Sequence, residues 1–128
     1  MSREVISTDD APAAIGPYSQ AILVDGWLYT AGQIGLDPET GEFVGDGVEK
    51  QAWRALANLE AVLEEAGLGF GDVVKTTVFL ADMDDYGTVN EIYGEHFVEP
   101  FPARSAVEAA TLPKDARVEI ELVARAAD

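Results

Sequence analysis

The sequence predicts an α+β domain in which two helices cover one face of a mixed sheet, with elements in the order β-β-β-α-β-α-β-β. Three observations lead to this prediction: a hairpin signal at Asp25-Gly26, two segments with helical apolar spacing, and strand-like segments at 72–80 and 117–125. The 128 residues contain no repeat and no linker long enough to divide them. We therefore expect a single domain over residues 1–128 with one core.

The first half of the chain predicts a hairpin, a turn and a helix. Residues 20–31 hold two apolar runs around Asp25-Gly26, a pair typical of two-residue hairpins, and DPETGE at 37–42 predicts a second turn. We expect Asp46 to cap the following helix, with Glu49 reaching back three residues later. The apolar residues of this helix recur at three- and four-residue steps until Gly67, and they are Ala52, Leu56, Leu59, Leu63 and Ala66.

The second half predicts a strand, a second helix and two closing strands. Residues 72–80 alternate and are rich in β-branched side chains, so we expect a strand reached by a right-handed, parallel crossover. A second helix is expected from about Asp85, and Pro100 and Pro102 prevent it from continuing. Its core face holds Tyr86, Val89, Tyr93 and Phe97. The closing strands are expected at 104–111 and 117–125.

The last strand has two unlike faces. One face is apolar and holds Val118, Ile120, Leu122 and Ala124. The other face holds Arg117, Glu119 and Glu121. For an isolated sheet, a solvated face explains these charges. Because two helices can cover only one side of the sheet, however, we expect oligomer packing to cover the apolar area that remains on the other side.

Net charge limits the classes of partner. The chain has 24 acidic and 8 basic residues, for a formal charge of −16, and a surface of this kind repels phosphate backbones and anionic membranes. We therefore expect no nucleic-acid or membrane partner. The spread of acidic residues indicates a halophile-type surface, and an ordinary acidic mesophile protein remains open. With no run of about 18 apolar residues and no signal-peptide layout at the start, a cytoplasmic location is expected.

The residue inventory excludes several kinds of site. Without cysteine, the chain can form no disulfide, thiolate nucleophile or cysteine metal site. His96 is the single histidine, so one chain cannot build a catalytic triad or a paired-histidine metal site, although three copies could bring three histidines together. DMDD at 82–85 lacks the glycine and distal glutamate of a calcium loop, and GLGFGD at 67–72 follows a helix instead of opening one. We expect no metal and no cofactor.

Four sequence blocks, in order, resemble the signature blocks of the RidA/YjgF family of reactive enamine/imine deaminases. The blocks are APAAIGPYSQA at 11–21, AGQIGLDPETGE at 31–42, DVVKTTVFLADMDDYGTVNEIY at 72–93 and PARSAVEAATLPKDARVEIE at 102–121. The resemblance implies a chorismate-mutase-like fold that assembles as a homotrimer with ligand clefts between subunits. It also implies cofactor-independent hydrolysis of 2-imino acids such as 2-iminobutanoate and 2-iminopropanoate to 2-keto acids and ammonia.

The resemblance also implies roles for five residues. Arg104 matches the arginine that grips a substrate carboxylate, Glu119 matches the acid that handles water, and Tyr18, Gly32 and Asn90 match positions that line the cleft. A guanidinium suits the first role because its rigid fork of donors binds a carboxylate through two hydrogen bonds. From the residues alone, Arg104 paired with a nearby acid remains open, as does Glu119 as a solvated strand carboxylate.

The chain departs from the family pattern at three positions, and three function classes stay open. Ala31 replaces a usual serine, Gly35 a frequent proline and Ala106 a frequent cysteine. Thr30 is a poor substitute for the lost hydroxyl, because neighbouring strand residues point to opposite faces. Besides the deaminase, the alternatives are a non-catalytic 2-keto acid binding or holdase-like protein and, less in keeping with the charge, a ribonuclease or translation inhibitor.

Overall fold

The computed structural model describes residues 2–127, and the elements follow the predicted order. The strands are β1 (Glu4–Ile6), β2 (Ala21–Val24), β3 (Trp27–Thr30), β4 (Val73–Leu80), β5 (Ala103–Glu108) and β6 (Val118–Arg125). The helices are α1 (Val48–Glu65) and α2 (Tyr86–Gly94), with short 3-10 turns at Phe70–Asp72, Met83–Asp85 and Pro113–Asp115. The six strands form one sheet in the order β1-β2-β3-β6-β4-β5. The predicted α+β fold, with two helices packed on a mixed sheet, is confirmed.

The sheet is mixed because β4 pairs with β5 in parallel and with β6 in antiparallel fashion. β3 is also antiparallel to β6, so β3 and β4 run parallel to each other with β6 between them. The crossover through α1 was expected to join parallel strands, and β3 and β4 are parallel. The right-handedness of this crossover stays a prediction. β5 lies at the sheet edge and ends at Glu108, not at 111, because its partner residue Leu80 is the last of β4.

Both predicted turns are confirmed. Asp25 and Gly26 join β2 to β3 with φ of 53° and 81°, which are the two positive values that a type I′ hairpin requires. In the second turn, Asp37 Oδ1 accepts a hydrogen bond from the Glu39 N–H at 2.8 Å, and Gly41 has φ 74°. The chain therefore reverses direction at both places where the sequence predicts it.

The capping prediction for α1 is wrong at its start and right at its end. Gly47 is the N-cap, with no side-chain cap, because the Gln51 N–H bonds to the Gly47 carbonyl and the helix begins one residue later than an Asp46 cap requires. Glycine is itself favoured at this position. At the other end Gly67 has φ 77°, and the amides of Gly67 and Leu68 donate to the carbonyls of Glu64 and Leu63. This pair of bonds is a Schellman motif.

The second helix is shorter than predicted. α2 ends at Gly94, and Phe97 lies beyond it in a turn where the amides of His96 and Phe97 both bond to the Tyr93 carbonyl. Phe97 is nevertheless buried and stacks on Tyr93 with ring centroids 4.3 Å apart. The apolar spacing therefore located a core residue correctly, although a glycine ended the helix before it.

One face of the sheet packs against the helices and the other lacks helical cover. The apolar side chains of β6, Val118, Ile120, Leu122 and Ala124, are at most 2% exposed and belong to the same core as those of α1. On the opposite side, which we call the open face, Trp27 is 38%, Tyr29 49% and Val107 42% exposed.

Within residues 2–127 no helix is long and apolar enough to cross a membrane.

Candidate functional site

The side chain of Arg104 is held in place by α2. Arg104 lies on the edge strand β5 in register with the buried Thr76, so its side chain is on the helix side of the sheet. Its Nη1 donates to Asn90 Oδ1 at 2.8 Å and its Nη2 donates to Tyr86 Oη at 2.6 Å. The guanidinium carbon also lies 4.7 Å from the centre of the Tyr93 ring. Three residues of one helix thus fix the orientation of this cation.

Arg104 has no carboxylate within ion-pair distance among residues 2–127. The ion pair in this part of the chain joins Arg117 to Asp85 at 3.2 Å. A guanidinium has five N–H donors, and two of those on Arg104 are used by Asn90 and Tyr86, both neutral acceptors. The alternative in which Arg104 is paired with a nearby acid is therefore wrong for the described residues, and donors remain for a ligand carboxylate.

Sequence reasoning found Asn90 but missed Tyr86 and Tyr93 as neighbours of Arg104. These three lie at helical spacing on the side of α2 that faces β5. The hydroxyl of Tyr93 is hydrogen-bonded to Thr76 Oγ1 at 2.7 Å, and burial raises the pKa of this phenol. The usable signal was the spacing of four between Tyr86 and Asn90, which places two oxygen acceptors on one helix face.

Glu119 lies on the open face, directly against Gly32. A Cβ on Gly32 would come within 2.7 Å of Glu119 Cδ. Glycine fits at position 32 because the Glu119 carboxylate occupies the space that a larger side chain would need. Glu119 is half-buried, and this burial, followed by the negative charge of Glu121, raises the pKa of its carboxyl. A raised pKa makes a carboxylate a better proton acceptor, which suits a group that takes up a proton and returns it during a reaction.

Three of the predicted site residues line one groove. Tyr18, Gly32 and Glu119 border a groove of ≈ 550 Å³ whose walls include Ile15 and Lys114. Lys114 has φ 54°, an uncommon value for a residue with a side chain, and sequence reasoning did not single it out. Arg104 and Asn90 lie together elsewhere, in a shallow depression beside Tyr86. The five predicted site residues therefore form two separate groups.

The two groups lie on opposite faces of the sheet. Glu119 is in register with Phe79, whereas Arg104 is in register with Thr76, three residues away along β4. Because successive side chains alternate, residues three apart on one strand point to opposite faces. The backbones of Arg104 and Glu119 are about 10 Å apart along the strands and a further 10 Å across them. One chain therefore cannot bring both side chains to one small ligand.

Two departures from the family pattern, Gly35 and Ala106, and Thr30 beside the third departure at Ala31, have different structural surroundings. A Cβ on Gly35 would lie 2.8 Å from the Gln51 carbonyl oxygen, so glycine permits the close packing of this loop on α1. The Thr30 hydroxyl accepts a hydrogen bond from the Leu122 N–H, so this contact within the sheet occupies it. Ala106 is partly buried against the core beside Arg104.

Within residues 2–127, no three His, Cys, Asp or Glu side chains are grouped to hold a metal ion.

The chain is similar to known proteins over nearly its full length. Residues 8–126 match the profile of the family described as Endoribonuclease L-PSP. A human protein named 2-iminobutanoate/2-iminopropanoate deaminase is 57% identical over 122 residues, which cover 95% of this chain and 89% of that protein. A RutC family protein of Pyrococcus abyssi is 52% identical over 97% of this chain and 98% of its own length.

Solved structures agree with these sequence matches. RidA from an Antarctic Psychrobacter superposes with a TM-score of 0.92 at 45% identity, over 95% of this chain and 98% of that one. E. coli TdcF, solved with bound serine, superposes with a TM-score of 0.90 at 43% identity, over 97% and 99% of the two chains. The profile match, the identities and the shared fold together establish that this chain belongs to the Endoribonuclease L-PSP family, which is the RidA/YjgF family.

Proposed function

We propose that the protein is a cofactor-independent deaminase that hydrolyses 2-imino acids, in particular 2-iminobutanoate and 2-iminopropanoate, to 2-keto acids and ammonia. The observation that carries the proposal is the state of Arg104: a cation fixed by two neutral acceptors, with no carboxylate partner among residues 2–127. In a chain of formal charge −16, a cation held ready in this way suits an anionic ligand.

Arg104 binds the carboxylate of the substrate through its remaining N–H donors in the proposed complex. A 2-imino acid has a planar carboxylate next to its reactive carbon, so a two-point contact sets both the position and the plane of that carbon. Asn90 acts on the substrate through Arg104, since its side-chain oxygen already accepts from Nη1. The human and other mammalian relatives named for this deaminase activity support the choice of substrate.

Glu119 handles the water. Water adds to C2 of the iminium form and gives Glu119 a proton, which leaves a carbinolamine. Glu119 passes this proton to the amino nitrogen, and the C–N bond breaks to release ammonia. The hydroxyl of the carbinolamine becomes the keto oxygen and gives its proton, through Glu119, to the leaving ammonia. Each turnover therefore consumes one water and releases one ammonium ion, with no change of oxidation state. The raised pKa of Glu119 suits a group that must carry the proton between two steps.

The proposed active site is shared between subunits of a homotrimer. Arg104 and Asn90 come from one subunit, and Tyr18, Gly32 and Glu119 come from the neighbour. Two observations support this arrangement: the two groups are on opposite faces of one sheet, and the open face exposes Trp27, Tyr29 and Val107 in a single chain. Burial of such an apolar face is the usual reason for a subunit interface.

The test is ammonia release from freshly generated 2-aminocrotonate, with and without the protein. A dehydratase supplies the enamine, which tautomerises to 2-iminobutanoate, and the proposal predicts faster ammonia release when the protein is present. A protein that binds 2-oxobutanoate in calorimetry but leaves the rate of ammonia release unchanged would instead be a 2-keto acid binding protein. Cleavage of RNA without deamination would point to the ribonuclease class.

A further inference from the structure

The hydroxyl of Tyr86 contacts Arg104, and the proposed reaction does not assign it a role. Its oxygen accepts a hydrogen bond of 2.6 Å from Nη2, shorter than the 2.8 Å bond from Nη1 to Asn90. The guanidinium carbon also lies 5.5 Å from the centre of the Tyr86 ring. Tyr86 is 38% exposed, so burial of an apolar side chain alone does not account for a tyrosine here.

The segment that carries Tyr86 is tied to the sheet on both sides. The Met83 N–H donates to Glu108 Oε1 at 2.7 Å, four residues along β5 from Arg104. Asp85, next to Tyr86, forms the ion pair with Arg117, which directly precedes β6. Asp82 closes the turn by accepting from the Asp84 N–H at 2.9 Å. These contacts give the first residue of α2 a defined position relative to β5.

Two acceptors on different nitrogens define the rotation of the guanidinium. Asn90 binds Nη1 and Tyr86 binds Nη2, so the plane of the group is set by two points, with the Tyr93 ring 4.7 Å from its carbon. With Asn90 alone, the group could turn about one hydrogen bond and lose the orientation that a two-point carboxylate contact needs. The N–H donors of Arg104 that Asn90 and Tyr86 do not use are then held in a fixed direction.

We propose that Tyr86 is a positioning residue for the carboxylate site: its hydroxyl holds Nη2 of Arg104 so that the guanidinium presents a fixed pair of donors to a 2-keto or 2-imino acid. The inference rests on the proposed function for the identity of the ligand. Tyr86 acts through Arg104 and does not itself touch the reacting carbon.

The test compares ligands with and without the carboxylate. Tyr86→Phe keeps the ring and removes the hydroxyl, and the Kd for 2-oxobutanoate should rise about three- to tenfold, since a hydrogen bond to a charged group is partly replaced by water at this half-exposed site. The Kd for the neutral 2-oxobutanamide should stay unchanged. Thr88→Ala is the matched control, because it removes a hydroxyl from the same helix at a residue outside the Arg104 site.

A double-mutant cycle separates positioning from general damage. In an Arg104→Lys background, the fork that Tyr86 orients is absent, so Tyr86→Phe should have no further effect on 2-oxobutanoate binding. Equal losses for the acid and the amide, or the same loss in both backgrounds, would overturn the inference, as would a wild-type protein that does not bind 2-oxobutanoate. This test measures binding and not ammonia release. A protein that binds 2-oxobutanoate but does not deaminate the imine would therefore contradict the proposed function and leave this inference standing.

Discussion

A methyl group at position 32 should slow turnover by displacing Glu119. In Gly32→Ala the new Cβ would lie 2.7 Å from Glu119 Cδ, whereas carbon atoms in contact prefer about 3.5 to 4.0 Å. The carboxylate must therefore move by about 1 Å, and a misplacement of this size can reduce a reaction rate about 100-fold. We expect kcat to fall by about this factor, while 2-oxobutanoate binding at Arg104 is retained.

The stability of Gly32→Ala should change little. Glu119 is half-buried and borders an open groove, so its side chain can leave its rotamer at a cost of about 0.5 to 1.5 kcal/mol. That corresponds to a fall in Tm of about 1 to 6 °C for a chain of this length. Gly71→Ala is the matched control, since a Cβ there meets no atom within 4 Å.

The assay is ammonia release from freshly generated 2-aminocrotonate, measured on the wild type and both glycine variants, with Tm from thermal unfolding. Gly71→Ala should keep the wild-type kcat, and Gly32→Ala should have a kcat about 100-fold lower while remaining folded. If Gly32→Ala turned over as fast as Gly71→Ala, the position of the Glu119 carboxylate against Gly32 would have no part in the reaction.

Three further predictions concern charge. Arg104→Ala should lower kcat/KM about 30-fold or more, since truncating one partner of a charge pair costs about 2 to 5 kcal/mol once the ligand and a neighbouring subunit bury the pair, and Arg104→Lys should rescue little because it loses the fork; steady-state deaminase kinetics check both. Glu119→Gln should raise Tm at neutral pH while lowering kcat. The folded-state pKa of Glu119 lies above its unfolded value, so its contribution to stability is present at low pH and is lost as pH rises through the folded pKa; melting the wild type and the variant between pH 4 and 8 tests this. Tm should increase from 0.01 M to 1 M NaCl, because the Debye length falls from about 30 Å to about 3 Å and screens sixteen excess charges; a flat or falling Tm contradicts the halophile-type surface.

Local signals in the sequence predicted most of the fold. Asp25-Gly26 specifies its own hairpin through two positive φ values, and the apolar steps of α1 up to Gly67 need no knowledge of the rest of the chain. The predictions failed where several local choices compete. Gly47 took the N-cap that Asp46 was expected to fill, and Gly94 ended α2 before Phe97. The first and last residues of a helix depend on single hydrogen bonds, so the sequence locates them only to within one or two residues.

The arrangement of the site depends on pairing that the sequence does not state. Arg104 and Glu119 lie in adjacent segments of one motif, and their opposite faces follow from the register of β4 with β5 and β6. Tyr86 was assigned to the core by apolar spacing, yet it is 38% exposed and its hydroxyl accepts a hydrogen bond from Arg104 on β5. Tertiary contacts of this kind give a residue its role after the elements are placed.

The most direct test of the central claim is complementation between two inactive variants. If each site takes Arg104 from one subunit and Glu119 from the next, co-expressed Arg104→Ala and Glu119→Gln chains must form some intact sites. In a cyclic trimer assembled at random from equal amounts, every mixed trimer has one intact site, so about one quarter of wild-type activity should return. Each variant alone provides the background rate. A mixed, purified trimer no more active than its inactive parents would contradict the shared site.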